Sequence, residues 1–539
     1  MKRFIYILLA LAGLGSSVSC NPDMLDTNPT DRISGTTLLN TTEGGFQALN
    51  GSIRMLWQWG WTTSGNQHQC VGPQGYNLMA DLMGEDMVMA AMGNGWFWYD
   101  YLYSVKDMWT SSAWRSYDLW NYYYTLISNV NYIINAQETM EGSESDRNYI
   151  IGNAYAIRAY CYAYLGMIFA RSYIGHEDRL CVPIYTEPTV SGTPGKARAT
   201  NREVFGMAMS DINNAISLIG STAKLHVSHF DQYSANGLKA RIALYMGDYQ
   251  TAHDAAAAAL AGGASYTFDP SYHFNNASDA SVLWGAEIIA TQGTTNPQFL
   301  AHMDKDFGGY GDAARKCVSE WLYSRIDEND ARRAWWTSEV MPDGSTVALQ
   351  QYKFQFGNKQ GSEVTDPTTG ADHIFMRAPE MQLIVAETAC RLGNETEARE
   401  ALNALMSSRE PGYDCSSLSG TQLGALTTDE TGSLLEEIIL QRRIELWGEY
   451  GRIYDIKRLR QGFERTSDMG HPVDAIAALN SLHTEDPESF DWVMTVPQTE
   501  IDANPLILQN PLGSYASGSN EGDDPALAPQ SGATGSEGE

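Results

Sequence analysis

The most regular hydrophobic pattern in the chain lies in two segments, each of which predicts a pair of antiparallel helices. In residues 238–260, small and apolar residues recur at helical spacing on both sides of a turn at Gly247. Residues 381–406 repeat this plan around Gly393. The small residues allow the two helices of each pair to approach closely, so both segments predict tightly packed helical hairpins.

Other segments with helical periodicity extend this pattern along the chain. Amphipathic helices are expected at about 43–57, 111–140, 147–173, 202–219 and 434–461. These helices are enough for about four pairs, and the hairpins resemble tetratricopeptide units. The predicted fold class is therefore mainly α, with tetratricopeptide-like helical hairpins and minor β structure.

Three long segments interrupt the helices at about 57–105, 262–375 and 408–432. They are rich in Gly, Ser, Thr, Asn and aromatic residues. Because the helical pairs are irregularly spaced, the array is not a regular solenoid. Long loops on a rigid scaffold often carry binding residues, so the first two insertions are expected to form the ligand site.

The first insertion contains GNGWFWYDYLY, residues 93–103, where six aromatic residues occupy eight positions. On an extended segment these rings would occupy both faces, and both faces cannot be buried against one core. We therefore predict that Trp96, Trp98 and Tyr99 line a ligand platform. Asn94 is expected to hydrogen-bond ligand hydroxyl groups.

Two further segments offer aromatic residues to the same platform. WQWGW, residues 57–61, adds Trp59 and Trp61, which follow a predicted helix and could instead cap the core. In the second insertion, Tyr310 is the candidate to approach a ligand from the opposite side. Sugars have apolar faces that stack on Trp and Tyr rings, so the pattern favours a carbohydrate ligand.

The charge of the chain narrows the range of partners. The 539 residues carry a formal net charge of -30, and the pI is about 4.6. A nucleic-acid backbone would be repelled by most of such a surface, which makes nucleic acid an improbable partner. Neutral ligands remain compatible with this charge.

The first 19 residues are typical of a signal peptide. Lys2 and Arg3 precede an apolar run, small residues follow, and Cys20 comes next. This arrangement resembles a bacterial lipoprotein signal, in which the cysteine is acylated and anchors the mature protein to a membrane. The alternative is a simple cleaved signal that leaves Cys20 as a spare thiol.

Six cysteines remain after Cys20, and their spacing indicates no disulfide framework. Cys161 and Cys390 lie in apolar helical stretches and are expected to be buried thiols. Pairing of Cys70 or Cys181 stays open. At the other end of the chain, residues 512–539 contain too few apolar residues to order themselves, so an acidic disordered tail is expected.

Catalysis has little support in the sequence. A glycosidase needs two carboxylates on opposite sides of the scissile bond, whereas Glu85 and Asp86 are adjacent and are expected on the polar surface. The adjacent carboxylates at 327–328 are interpreted in the same way. His226 and His229 lack the spacing of a zinc protease site. We therefore expect no catalytic residue, no metal and no cofactor.

Several motifs together resemble the SusD/RagB family of outer-membrane nutrient-binding lipoproteins. They are CNPDMLDTNPTDRIS after the signal peptide, MRAPEMQLIVAETACRLGN at 376–394, ILQRRIELWGEYGRIYDIKR at 439–458 and VPQTEIDANPLILQNP at 496–511. Gln441 stands where the family signature has its first Glu. Arg443 shares a helical stripe with apolar residues, so its charge is expected to pair with a carboxylate rather than a ligand.

This resemblance implies a single SusD-like domain over residues 20–511 and a partner. Members of the family cover a SusC-like TonB-dependent transporter and capture oligosaccharides for import. The implied location is the outer membrane, with the protein lipid-anchored and facing the extracellular side. Two alternatives remain at this point: capture of peptides, as in some branches of the family, and a secreted carbohydrate-active enzyme.

Overall fold

The computed structural model describes residues 38–59, 67–104, 114–289, 292, 298–307, 309–356, 371–480 and 482–511. This part of the chain is mostly helical, as predicted, with short strands in the insertions. The signal peptide, Cys20, Trp61 and the acidic tail lie outside the described residues.

The α-helices of the first half precede residue 261 and include the longest helices of the described chain. They are α1 (Thr42–Arg54), α2 (Pro73–Leu82), α3 (Trp98–Tyr101), α4 (Arg115–Asn135), α5 (Glu144–Phe169), α6 (Asn201–Ile219), α7 (Gln232–Met246) and α8 (Tyr249–Leu260). The long helices α1, α4, α5 and α6 confirm four of the amphipathic helices predicted from periodicity.

The α-helices of the second half follow the second insertion or lie within it. They are α9 (Phe299–Met303), α10 (Tyr310–Ala313), α11 (Glu320–Ser324), α12 (Ala378–Arg391), α13 (Glu395–Met406), α14 (Leu434–Glu445), α15 (Arg452–Leu459), α16 (Val473–Leu479) and α17 (Gln498–Ala503). None of the helices in the described part of the chain combines the length and the apolar character that a membrane span requires.

The two predicted helical hairpins are confirmed as α7 with α8 and α12 with α13. Gly247 ends α7 in a left-handed conformation with φ of 75°, and the Asp248 side chain then caps α8 by accepting from the backbone of Thr251. In the second hairpin, Gly393 also has positive φ, and Asn394 caps α13. Each turn therefore uses a glycine to reverse the chain and a short polar side chain to start the next helix.

The prediction of a single helix at 434–461 is wrong, because this segment forms two helices, α14 and α15. Gly448 and Gly451 lie between them with φ values of 78° and 100°. An L side chain rarely adopts this conformation, whereas glycine does so at little cost. The turn brings Arg452, the first residue of α15, back toward the end of α2.

In the part of the chain that the structure describes, six strands form two small antiparallel sheets. The strands are β1 (Met87–Met89), β2 (Val282–Ala286), β3 (Lys316–Val318), β4 (Trp336–Val340), β5 (Thr346–Gln351) and β6 (His373–Arg377). One sheet has the order β1-β3-β5-β4, and β2 pairs with β6 in the other. The four-stranded sheet thus joins the first insertion to the second, because β1 belongs to one and β3 to the other.

The larger of two hydrophobic clusters extends from Leu39 to Ile507, and a smaller one lies between α12, α13 and α14. Trp284 is buried in β2. Trp335 and Trp336 are also buried. Much of the aromatic content of the chain therefore serves the core.

Glu85 and Asp86 are not on the surface, and the prediction of a polar-surface pair is wrong. Both are at most 3% exposed and accept hydrogen bonds from buried Arg443, with distances of 3.0 Å to Glu85 and 2.7 Å to Asp86. Arg452 donates to Glu85 at 2.7 Å. The prediction that Arg443 pairs with a carboxylate is confirmed.

This ion network changes the titration of Glu85. Burial by itself would raise the pKa of this carboxyl, but Arg452 and Arg443 together lower the pKa of Glu85 to about 2. The carboxylate is therefore charged at neutral pH, and it joins the signature helices α14 and α15 to the start of β1.

The six described cysteines are all buried and none forms a disulfide. Burial raises the pKa of the Cys161 and Cys390 thiols, as expected for inert core cysteines. Cys70 donates a hydrogen bond from its Sγ to Asp118 at 2.8 Å. The open question of a Cys70 or Cys181 pairing is thus answered: both remain thiols.

Candidate functional site

Four rings from both insertions meet at one surface, which we call the aromatic platform: Trp59, His68, Trp96 and Tyr310. Trp96 stacks on His68 with ring centroids 5.4 Å apart and planes at 20°. Tyr310 meets Trp96 edge to face at 5.8 Å, and Trp59 meets His68 at 6.3 Å. All four rings are half-buried, so each retains an accessible part.

A short 3₁₀ turn, Gln67–Gln69, positions two parts of the platform at once. It presents His68 to Trp96, and the Gln69 side chain accepts a hydrogen bond from the backbone N–H of Phe97 at 2.7 Å. Phe97 has φ of 63°, in the left-handed region. This conformation turns the chain between residues 96 and 98, so that the Trp96 ring stays outside while Phe97 points inward.

A buried layer beneath the platform fixes the position of Tyr310. The hydroxyl of Tyr310 hydrogen-bonds Nδ1 of His68, and its ring stacks on His302 with centroids 4.9 Å apart. His302 donates from Nε2 to the backbone carbonyl of His68 at 2.6 Å. Phe97 meets the opposite part of His302 edge to face at 4.9 Å. The platform thus rests on rings that are themselves packed.

The histidine in this layer, His302, is uncharged at neutral pH. Burial lowers the pKa of His302 to about 3, so the imidazole carries no charge at neutral pH. Burial also raises the pKa of Tyr310, and a hydrogen bond with Trp96 opposes that rise. His302 beneath the platform is therefore uncharged at neutral pH, and the Tyr310 hydroxyl stays protonated.

The structure brings together only part of the predicted site. Trp59, Trp96 and Tyr310 share the platform. Tyr99 is 43% exposed, with its ring beside Gly95, and Asn94 is exposed on the same turn. These two residues border the platform without a ring contact to it.

Trp98 does not line this surface, which corrects the prediction for that residue. Its side chain is 7% exposed and packs on Tyr101 with ring centroids 5.7 Å apart. The prediction assumed an extended segment with rings on both faces. Instead, the turn at Phe97 and the helix α3 direct Trp98, Tyr101 and Tyr103 into the core.

Sequence reasoning missed His68 and His302. Neither has a motif around it, and His302 lies more than 230 residues from the backbone carbonyl that it contacts. The only available signal was compositional, because both histidines lie in the insertions expected to carry the site. Their roles become visible once β1 and β3 pair.

A cleft of about 700 Å³ opens beside the platform. Its walls include Ala90 and Ala91, which precede the platform turn, and Asp312 and Ala313, which follow Tyr310 in α10. The same two segments therefore form one side of the cleft and carry rings of the platform.

The described residues offer little for catalysis or metal binding. Glu85 and Asp86 are occupied by buried arginines, and Asp327 is an exposed turn residue that accepts from the backbone of Asn329. Across the described ranges, no group of three or more His, Cys, Asp or Glu side chains is arranged to hold a metal ion.

Two sequence models of one superfamily match the chain. The model of the SusD family matches residues 288–513, and a SusD-like model described as starch-binding associating with outer membrane matches residues 75–244. Together the two matches confirm the resemblance to the SusD family. Both matched ranges include parts of the platform, since Tyr310 lies in one and Trp96 in the other.

Similar proteins and solved structures carry descriptions of the same kind. SusD-like protein P38 of Formosa agariphila is 22% identical over 403 residues, which cover 67% of this chain and 75% of that protein. A SusD superfamily structure from Bacteroides thetaiotaomicron has a TM-score of 0.71 and 22% identity, covering 87% of this chain and all of that one. Surface glycan-binding protein A from Bacteroides uniformis has a TM-score of 0.62 at 17% identity, covering 87% of this chain and 99% of that one.

Proposed function

We propose that this protein is a cell-surface lipoprotein that binds oligosaccharides on the aromatic platform without cleaving them. The observation that carries the proposal is the convergence of Trp59, His68, Trp96 and Tyr310 from two distant insertions. The description of the matched model as starch-binding, and the glycan-binding neighbour in structure, support a carbohydrate ligand.

The geometry suits a sugar chain for physical reasons. Trp96 and Trp59 offer ring faces for the apolar side of a pyranose, and each stacked contact contributes about 0.5–1.5 kcal/mol beyond the buried area. Hydroxyl groups of the ligand can bond to Asn94 at the edge. Several such contacts give an affinity in the millimolar to micromolar range, about -4 to -8 kcal/mol.

We propose a non-catalytic role because the carboxylates near β1 are held in buried ion pairs. A glycosidase holds one acid and one base or nucleophile across the scissile bond. Near β1, Glu85 and Asp86 are buried in ion pairs with Arg443 and Arg452 and are not available to a ligand. The platform itself consists of aromatic rings and a hydroxyl and contains no carboxylate.

The cellular setting follows from the family. In this proposal Cys20 carries the lipid anchor, and the protein faces outward from the outer membrane and passes its ligand to a SusC-like TonB-dependent transporter. The model description that names the outer membrane supports this location. Affinity purification of tagged protein from outer membranes tests it: a long β-barrel protein is expected to co-purify, and Cys20→Ala is expected to release the protein from the membrane fraction.

Isothermal titration against soluble polysaccharides tests the ligand. Trp96→Ala is expected to weaken binding by about 1–2 kcal/mol, or roughly 5- to 30-fold, because a stacking face is lost. Tyr310→Phe is expected to weaken binding less, because it keeps the aromatic ring and removes only the hydroxyl that hydrogen-bonds His68. Tyr132→Phe is the matched control: this half-buried tyrosine of α4 also loses one hydrogen bond, to Thr189, but takes no part in the platform.

The outcomes separate the candidate functions. Glycan binding that Trp96→Ala weakens and Tyr132→Phe preserves supports the proposal. Binding that is indifferent to Trp96 would move the glycan site elsewhere, and binding of peptides but no glycan would favour peptide capture. Release of reducing ends during the titration would refute a non-catalytic role.

A further inference from the structure

A second cleft of about 470 Å³ lies at the end of α1. The end of α1, the loop 226–229 and the residues that follow β2 form its walls. Trp57 lines this second cleft, whereas Trp59, two residues later, belongs to the platform. The two sites are therefore neighbours that use different side chains.

The floor of the second cleft is a partly buried chain of hydrogen bonds with a fixed direction. The backbone N–H of Leu225 donates to the Tyr149 hydroxyl at 2.9 Å, and that hydroxyl donates to Nδ1 of His229 at 3.0 Å, because the neutral imidazole carries its proton on Nε2. His229 then donates from Nε2 to Oδ1 of Asn50 at 2.9 Å. This order leaves the amide NH₂ of Asn50 available to a ligand.

Two further observations make this floor rigid. Burial, with a smaller contribution from His226, lowers the pKa of His229 to about 4, so the hydrogen-bond direction holds at neutral pH. The loop is also attached to β2, because Trp284 donates to the carbonyl of Ser228 at 3.1 Å and Gly285 donates to the carbonyl of Val227. The cleft is thus formed by fixed elements.

Arg54, Trp57 and His226 line the cleft above this floor with N–H groups that can donate hydrogen bonds. Arg54, Trp57 and His226 make no side-chain hydrogen bond or ion pair with any residue that the structure describes. Trp57 is half-buried against the core and exposes the rest of its ring. Among the described lining residues, Glu287 is the single carboxylate.

We infer that the second cleft binds a sugar residue that carries a carboxylate, such as a uronic acid. The Trp57 ring supplies a surface for the apolar face of the sugar, and the Arg54 guanidinium supplies a planar fork that matches a carboxylate. The amide of Asn50 and the ring of His226 bond to hydroxyl groups. In a chain with a net charge of -30, an arginine without an ion pair in a cleft is a place where an anionic ligand is attracted.

This inference goes beyond the proposed function, because it assigns a ligand class to a site that does not depend on the platform. Binding of a carboxylate by Arg54 can also be distinguished from a purely structural role of this residue. That residue lies at the end of α1, where any positive charge interacts favourably with the helix dipole. Lysine preserves this charge and loses the fork, so Arg54→Lys separates the two roles.

The test is isothermal titration of the full mature protein with a trimer of galacturonic acid and with its methyl ester, which keeps the rings and removes the charge. The acid is expected to bind roughly 5- to 30-fold more tightly than the ester, because a charge-assisted bond is stronger than a neutral one. Arg54→Gln is expected to abolish this difference, and Arg54→Lys to restore part of it. Trp57→Ala is expected to weaken binding of both forms.

Arg202→Gln is the matched control, because Arg202 is exposed, pairs with Asp178 and lies outside the cleft. It removes the same charge and is expected to leave the preference for the acid unchanged. Repeating the titrations on the Trp96→Ala background separates this site from the platform. Binding of the acid that persists in Trp96→Ala and is lost with Arg54→Gln supports the inference. This result would hold even if the platform binds no glycan.

Three results would overturn the inference. The first is equal binding of acid and ester by the wild-type protein. The second is binding that disappears with Trp96→Ala alone, which would assign the ligand to the platform. The third is displacement of the trimer by sodium sulfate at matched ionic strength, which would mean that the cleft attracts any small anion and does not recognise a sugar.

Discussion

Trp96 and Trp98 are two residues apart, and the structure predicts opposite consequences for their removal. Trp96 is half-buried on the platform, whereas Trp98 is 7% exposed and packs in the core against Tyr101. Trp96→Ala is expected to reduce ligand affinity and to leave folding nearly unchanged. Trp98→Ala is expected to reduce stability, and its effect on binding at low temperature is expected to be small.

The magnitude for Trp98 follows from its burial. A tryptophan side chain buries about 150–250 Å², and removing a buried one from a core costs about 3–5 kcal/mol, including the cavity that remains. Trp96 already has part of its ring in water, so its truncation loses less apolar contact and creates no closed cavity. We expect a loss of about 1 kcal/mol or less in stability for Trp96→Ala.

The assay compares urea unfolding midpoints, followed by tryptophan fluorescence and far-UV circular dichroism, with titration of the glycan that the wild type binds. Midpoints are the appropriate measure, because a chain of this size need not unfold in a two-state transition. Trp98→Ala is expected to unfold at a clearly lower urea concentration. Trp96→Ala is expected to unfold close to the wild type and to bind more weakly.

A reversed result would refute the reasoning. If Trp98→Ala unfolds with the wild type while abolishing binding, then Trp98 contacts the ligand and the turn at Phe97 does not direct it inward. If Trp96→Ala lowers the midpoint as much as Trp98→Ala, then the Trp96 ring is a core ring and the platform is not a surface for ligands.

Two further predictions concern the buried charges. Arg443→Ala is expected to destabilise the protein by about 3–5 kcal/mol, because it leaves Glu85 and Asp86 buried with one arginine fewer, and an unchanged urea midpoint would contradict this. Stability is also expected to fall as pH decreases from about 6.5. In the folded protein the pKa values of His302 and His471 are about 3, so both stay unprotonated, whereas in the unfolded chain both bind protons. Below about pH 4.5, protonation of Glu85 in the unfolded state adds to this loss down to its folded pKa of about 2. Urea midpoints measured from pH 7 to pH 4 check the sign, and a flat profile would refute it.

Much of the helical scaffold could be predicted from the sequence, because its signals are local. The turn glycines Gly247 and Gly393, with a capping side chain directly after each, place both hairpins within a few residues of their observed bounds. The helix predicted at 434–461 failed at its interior glycines. Periodicity continues across such a turn, and only the backbone conformation of Gly448 and Gly451 reveals the break.

The candidate site was less predictable, because its contacts join distant parts of the chain. Trp96 and Tyr310 could be proposed from composition, but nothing near residue 68 indicates that His68 lies between them. Trp98 was assigned to the platform because a left-handed Phe97 cannot be foreseen from a run of aromatic residues. The carboxylates at 85 and 86 were assigned to the surface because their arginine partner comes more than 350 residues later.

That long separation has a consequence for the order in which the chain can fold. Arg443 joins Asp86 across 357 residues, and Trp447 donates to the carbonyl of Asp86 across 361. Closing so large a loop is entropically costly and slow, so the strand that leads to Trp96 cannot dock until the C-terminal half is present. An N-terminal fragment ending before residue 443 would lack both arginines and leave the carboxylates of Glu85 and Asp86 uncompensated. During synthesis the ligand surface therefore matures late, although most of its rings belong to the first hundred residues.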